Sequence, residues 1–457
     1  MMYTSALVER AGHNVILHAI CDRNEGRLSL AAKELSAPFP HLACYGASDF
    51  DKMLINHKPD YLIVCTVDAN HDDYICRALK AGVDVITEKP MTTDEYKCQK
   101  IIDTVKETGK NVRVMFNYRY SPPRSQIKEI LMSGLIGRVL SVNFQWVLDT
   151  NHGADYFRRW HRNKANSGGL LVHKACHHFD ILNWWLGSVP ETVYAEGRRV
   201  FYNSSQASRY GLDGHGERCL NCSVSDRCNY YLDMNSEELI KELYLDNEKY
   251  DDYHRDACIF SEDIDIEDSV DLIAKYKNGP TLSYSLTAFS PWEGYRVIFN
   301  GTKGRLEHNC QESSYISGDG SIQGASKPDG TDITVYPHFK SRYQIDVNQG
   351  IGSHGGGDIL MLSDLFDDPV SDPLQRSADY TQGAYSVLMG IAANKSIVSQ
   401  KKVRIADLVT DLAEPNYPAN RNNDEEIRYV ANTKCISSDG KEISANIPSK
   451  QAVLLDE

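Results

Sequence analysis

No apolar run in the chain approaches the ~20 residues that cross a bilayer. Its start, Met1-Met2-Tyr3-Thr4-Ser5, lacks the basic stretch and apolar core of a secretory leader. The expected setting is therefore cytoplasmic, with no membrane partner. Basic residues are not in surplus either: 49 Lys and Arg against 63 Asp and Glu leave a formal charge of -14. That is the wrong sign for a phosphate-gripping face, so no nucleic-acid partner is expected. Internal repeats are also lacking. What is present is 457 residues, 41% of them apolar, enough for two domains. Of the twelve cysteines, eight are scattered singly (Cys21, Cys44, Cys65, Cys76, Cys98, Cys176, Cys310 and Cys435), as buried thiols are in a reducing compartment.

The first 120 residues alternate apolar runs (15–20, 61–65, 83–86 and 112–116) with stretches of helical spacing (27–35, 71–81 and 94–107). Strands covered on both faces and joined by helices read this way. Gly82 and Gly109 stand where two of the helices should stop. After residue 120 the texture changes. Helices are expected at 126–132, 168–186 and 377–396, and half-exposed strands at 139–148, 270–276, 281–288 and 295–300. Asn278-Gly279 marks a hairpin. The expected fold is α/β. A Rossmann-like parallel sheet (1–120) precedes an α+β domain (121–413) with an open, mainly antiparallel sheet, helices on one face, and a polar insertion at 203–265. Residues 313–330 read as a surface loop, and 414–457 as an extension.

A dinucleotide fold opens with a strand, a Gly-rich turn and a helix. This chain has no such opening, and the first strand of its parallel sheet is missing. Since that strand is central, the expectation is a natural start roughly twenty residues upstream. The rival is a protein that has lost its cofactor. Asp22, closing a strand, suits the ribose hydroxyls of NAD, while Arg23 leaves NADP open; a plain helix cap is the alternative for Asp22.

Thr66-Val67-Asp68-Ala69-Asn70-His71, Glu88-Lys89-Pro90 and Asn117-Tyr118-Arg119-Tyr120-Ser121-Pro122 each follow a strand. Gly168-Gly169 precedes His177 and Asp180, and Gly355-Gly356-Gly357-Asp358 comes late. In this order they resemble the glucose–fructose oxidoreductase / inositol dehydrogenase / rhizopine-catabolism (Gfo/Idh/MocA) family. The resemblance implies a catalytic Lys89 between nicotinamide ribose and substrate hydroxyl. It also implies His177 as the base, with Asp180 one turn on to orient it. Cofactor contacts are expected from Asp22, Arg23, Thr66, Asn70, His71, Glu88, Lys89 and Arg119. Substrate contacts are expected from Tyr120, Trp160, His161 and Lys174, with Arg119 shared. One departure stands out: His173 occupies the place, four before His177, where many members carry an acid. A shared-proton relay between His173 and His177 is expected there, rather than the metal pair their spacing also allows. The resemblance points to an NAD(P)-dependent oxidoreductase of sugars or polyols, acting as a homodimer or homotetramer. A redox-neutral NAD-dependent glycosidase, a non-catalytic sugar binder and a zinc-organised interaction module are the alternatives.

Cys219, Cys222, Cys228 and Cys258 lie within the insertion. Two residues separate the first pair, as in zinc knuckles, so structural zinc is expected; free or disulfide-bonded thiols are the alternative.

Overall fold

The structure, a computed structural model, describes residues 2–421 apart from 13–14, 315–321 and 369, together with 433–436 and 442–443. The amino-terminal part runs α1 (Met2–Glu9), β1 (Ala19–Asp22), α2 (Glu25–Leu35), β2 (Ala43–Gly46), α3 (Phe50–His57), β3 (Tyr61–Val64), α4 (His71–Lys80), β4 (Asp84–Thr87), α5 (Glu95–Thr108) and β5 (Val112–Val114). Caps set the helix ends. The Asn24 and Asp94 side chains accept the Arg27 and Lys97 N–H groups, and Gly109 closes α5 at φ 65°. Asp22 is thus not the cap of α2; it accepts the Asn24 N–H at 2.7 Å.

The parallel layer is in two pieces. β1 pairs with β2, β3 with β4 and β4 with β5, and among the described residues no strand joins β1 to β3. This gap is where the missing opening strand was expected. Val15 makes only an isolated bridge with Ala11, and the strand predicted at 15–20 begins four residues late.

The chain continues with α6 (Pro122–Ser133), β6 (Val139–Asp149), α7 (Thr150–Arg158), α8 (Lys164–Ser167), α9 (Leu170–His173), α10 (Ala175–Leu186) and β7 (Pro190–Arg198). The insertion holds α11 (Ser204–Arg209), α12 (Glu238–Leu243) and α13 (Glu248–Asp251). Then come β8 (Ser269–Tyr276), β9 (Thr281–Ser290), β10 (Glu293–Gly301), β11 (Gly304–Glu312), β12 (Ser326–Pro337), β13 (Tyr343–Ile345), α14 (Gly357–Phe366), β14 (Ala378–Asp379), α15 (Tyr380–Ser399), β15 (Val403–Arg404), β16 (Thr433–Ile436) and β17 (Glu442–Ile443). Eleven strands form one sheet in the order β15-β7-β8-β9-β6-β10-β11-β12-β13-β16-β17. All its pairs are antiparallel except β6 with β9.

Alternation assigns its faces. Leu272, Ala274, Tyr284, Leu286, Val297 and Phe299 are buried beneath the helices. Asn143, Gln145, Asp271, Lys275, Ser283 and Arg296 are exposed on the other side, with Leu140, Tyr194 and Ile273 the large exposed apolar residues among them. The open face is therefore mainly polar.

Two expectations are corrected. The helix expected at 168–186 is broken, because Gly168 and Gly169 take positive φ (70° and 76°) and a further interruption at Lys174 separates α9 from α10. Part of the expected 313–330 loop is strand, since β12 starts at Ser326; residues 315–321 lie outside the described residues. Contacts also run across residue 120. β14 adds antiparallel to β5, α14 meets the first domain through the Arg113–Asp364 ion pair, and Lys128 Nζ donates to the Pro418 carbonyl at 2.7 Å. Residues 417–420 therefore pack into the body; most of the remaining extension lies outside the described residues.

Candidate active site

β3 and β4 end side by side, so the loops after Val64 and Thr87 share one edge of the parallel sheet. His71 links them: Nδ1 lies 2.8 Å from the Pro90 carbonyl and Nε2 3.1 Å from the Thr66 carbonyl. His71 thus braces the site from within, while Thr66 and Asn70 are exposed at its rim. Glu88 accepts the Tyr3 hydroxyl at 2.8 Å and the Lys89 N–H at 3.0 Å.

Lys89 Nζ lies 3.4 Å from His173 Nε2, and His173 Nδ1 lies 2.5 Å from Asp68 Oδ2. Asp68 comes from the β3 loop and His173 from α9, so this chain of three groups spans both domains. Burial opposes charge at its centre. It pushes the Asp68 carboxyl well up, with Lys89 pulling back, and pushes the His173 imidazole well down, with Lys89 adding to the push. A neutral imidazole with its N–H on Asp68 and its lone pair toward Lys89 satisfies all three groups. The relay expected between His173 and His177 is therefore not formed, because both His173 nitrogens are engaged elsewhere.

His177 is buried and stacks on Tyr118, with ring centroids 4.4 Å apart. Among the described residues its Nδ1 has no hydrogen-bond partner. Burial, then repulsion from Lys89 and Lys174, holds this imidazole well below the usual histidine range, so it is a neutral acceptor near pH 7. Lys174 Nζ reaches the Tyr118 hydroxyl (3.2 Å) and lies 4.8 Å from the Trp146 ring centroid. Burial pushes it down to about 8, with Glu293 and Glu312 pulling back. Trp160 stacks on His161 at 3.7 Å, and His161 meets His173 edge-on at 4.2 Å. His161 Nδ1 is also without a partner.

Other candidates are not brought here. Arg119 and Asp180 are wholly buried and paired with each other (Nε–Oδ2 2.7 Å, Nη2–Oδ1 2.5 Å), and Arg119 also donates to Gln382. Asp180 is thus engaged by Arg119 rather than by His177, and three of the Arg119 N–H groups are spent within the interior. Tyr120 donates to Asp364 on the α14 side. Asp22 stands at the tip of β1; Arg23 is largely exposed and faces Asp251 at 3.7 Å. The four clustered cysteines are free and line one cavity in the insertion, while no group of three or more His, Cys, Asp or Glu among the described residues is arranged to hold a metal ion. Sequence reading missed Asp68 as a site residue. Its signal was a carboxylate directly after a buried strand. It also missed His354, which sits 6.2 Å from the His177 ring and bonds Asp358 at 2.8 Å.

A split parallel sheet with lysine, histidine and carboxylate gathered at its strand tips defines a Rossmann-type oxidoreductase. Residues 3–116 match the oxidoreductase family's NAD-binding Rossmann fold, and residues 128–405 match that family's C-terminal alpha/beta domain. The chain belongs to the Gfo/Idh/MocA oxidoreductase family. It is 39% identical over 421 residues to a Bacillus subtilis protein named as an oxidoreductase, YteT, covering 89% of this chain and 95% of that one. Inositol 2-dehydrogenase 2 of Saccharopolyspora erythraea is 27% identical over 182 residues, 40% of this chain and 49% of that one. Among solved structures, the fold is similar to aldose-aldose oxidoreductase from Caulobacter crescentus (TM-score 0.56, 15% identity, 87% and 93% of the two chains). It is also similar to levoglucosan dehydrogenase in complex with NADH and L-sorbose (TM-score 0.60, 15% identity, 88% and 94%). No helix among the described residues is long and apolar enough to cross a membrane.

Proposed function

We propose that the chain transfers hydride reversibly between nicotinamide and a secondary hydroxyl of a sugar, sugar derivative or polyol. The observation that carries this reading is the Asp68–His173–Lys89 chain of contacts at the strand tips, beside a neutral His177 with a free ring nitrogen. NAD, when bound, supplies the hydride acceptor.

The residues present suit its two ends. Asp22 offers a carboxylate to the adenosine ribose, and Glu88, Thr66 and Lys89 border the nicotinamide half.

His177 takes the hydroxyl proton as hydride leaves carbon. The Lys89 ammonium anchors the developing alkoxide, and burial strengthens that interaction. Asp68 fixes the His173 tautomer, and His173 holds Lys89 in place. Trp160 offers a flat apolar face to a sugar ring, and His161 and Lys174 offer polar contacts to its hydroxyls. NAD rather than NADP, a cytoplasmic setting and a homodimer or homotetramer complete the reading. The relative named for inositol supports the substrate class.

The test is a panel of sugars and polyols assayed for NADH formation, repeated with His177→Ala. Turnover should fall by at least about 100-fold, as for loss of a general base. Equal turnover removes His177 from the mechanism.

A further inference from the structure

Cys219, Cys222, Cys228 and Cys258 take no part in that chemistry. They belong to a segment, residues 203–265, with little regular secondary structure of its own. Its helices run to six residues at most, and its one β contact is the Arg218–Ala257 bridge. Seven apolar side chains are buried along it. A segment this poor in core needs another source of order.

The backbone brings the four thiols together. Cys219 and Cys222 bracket one turn, the Cys222 N–H returning to the Cys219 carbonyl at 3.1 Å. Cys228 ends a second such turn on the Ser225 carbonyl at 3.3 Å. Cys258 arrives from the opposite side, its N–H on the Glu217 carbonyl at 2.8 Å. All four line a single cavity with His215 and Arg158. Two of the sulfurs already accept N–H donors: Gly216 N–H to Cys222 Sγ at 3.4 Å, and Arg158 Nη1 to Cys219 Sγ at 3.2 Å.

We propose that these four cysteines bind one zinc ion per chain as thiolates, and that the ion fastens the insertion to the two domains. The side chains do not stand as a finished ligand set; binding turns them inward on the cavity they line. Zinc suits four sulfurs, tetrahedrally, without redox chemistry. Binding releases the thiol protons to solvent, and the Arg158 guanidinium offsets one of the two resulting negative charges.

The anchoring follows from contacts on both sides. Arg158, at the end of α7, also donates to the Tyr230 carbonyl at 2.7 Å, and the next residues along the chain carry Trp160 and His161. Toward the first domain, the Asn247 carbonyl accepts Asn24 Nδ2 at 3.0 Å, and Asp251 pairs with Arg27 on α2. An added Cβ on Gly26 would stand 1.7 Å from Asn247 Oδ1, so the insertion lies directly on the start of that helix.

The experiment uses the full chain, reduced and stripped of metal, titrated with cobalt(II) alone. Uptake of one cobalt per chain with intense thiolate-to-metal absorption, displaced by zinc and abolished in Cys258→Ser but kept in Cys44→Ser, is the expected result. Elemental analysis of the untreated protein should find one zinc per chain. Absence of cobalt uptake by the folded wild-type chain overturns the proposal, as does iron with sulfide or a pair of disulfides found in the protein as isolated. None of these readouts depends on enzymatic activity, so the zinc assignment is tested apart from the hydride-transfer reading.

Discussion

Replacing Asp180 by Ala should unfold the protein more readily without damaging its chemistry. The Arg119 and Asp180 side chains are both wholly buried. Asp180 supplies two of the three acceptors of the guanidinium, and Gln382 the third at 2.9 Å. Around them lie the rings of Phe116, Trp184 and Tyr417, with no water-facing route for the charge. Removing one partner of such a pair leaves an uncompensated buried cation, which costs about 3–5 kcal/mol. The pair as a whole is worth far less, since burial already pushes Asp180 up to about 6 against the pull of Arg119. The double variant Arg119→Met/Asp180→Leu should therefore recover most of the loss. Urea unfolding of the three proteins measures this, alongside turnover corrected for folded fraction. A 100-fold loss of corrected turnover in Asp180→Ala at unchanged stability would show that the carboxylate acts on His177 after all.

Asp68→Asn should lower turnover by about 100-fold or more, because the amide can present its NH2 to Nδ1 and so favour the tautomer that turns an N–H toward Lys89. The pH–rate profile should also shift; an unchanged profile would reduce Asp68 to packing. His308 donates from Nδ1 to the Asp332 carbonyl and accepts the Tyr295 hydroxyl, both at 2.8 Å, and burial lowers its pKa to about 4. Its folded value lies below the unfolded value of about 6.5, so its stabilisation is complete above that pH and lost as pH falls toward 4. His308→Gln keeps both hydrogen bonds and cannot titrate. Between pH 7 and pH 4 its stability should gain about 3 kcal/mol on the wild type; parallel curves would mean His308 titrates normally.

The sequence was informative where chemistry is local. The Glu88-Lys89-Pro90 turn, the Asn278-Gly279 hairpin and the alternation of β8 and β9 are short-range signals, and each stands where its pattern required. It was silent where the partner lies far along the chain. Asp68 and His173 are 105 residues apart, and Arg119 and Asp180 61 apart. Helical spacing offered Asp180 to His177 simply because they are three apart, whereas the fold turns the carboxylate to a buried guanidinium.

The central claim is that Lys89 and His177 act on one carbinol carbon next to nicotinamide. It is tested most directly by following deuterium from that carbon of a labelled polyol or sugar. The account predicts label on the nicotinamide ring of the NADH released, with the rate of transfer collapsing in Lys89→Met. Label that returns to product without net NADH would mean a redox-neutral reaction, and label lost to water, or transferred equally well without Lys89, would contradict the account.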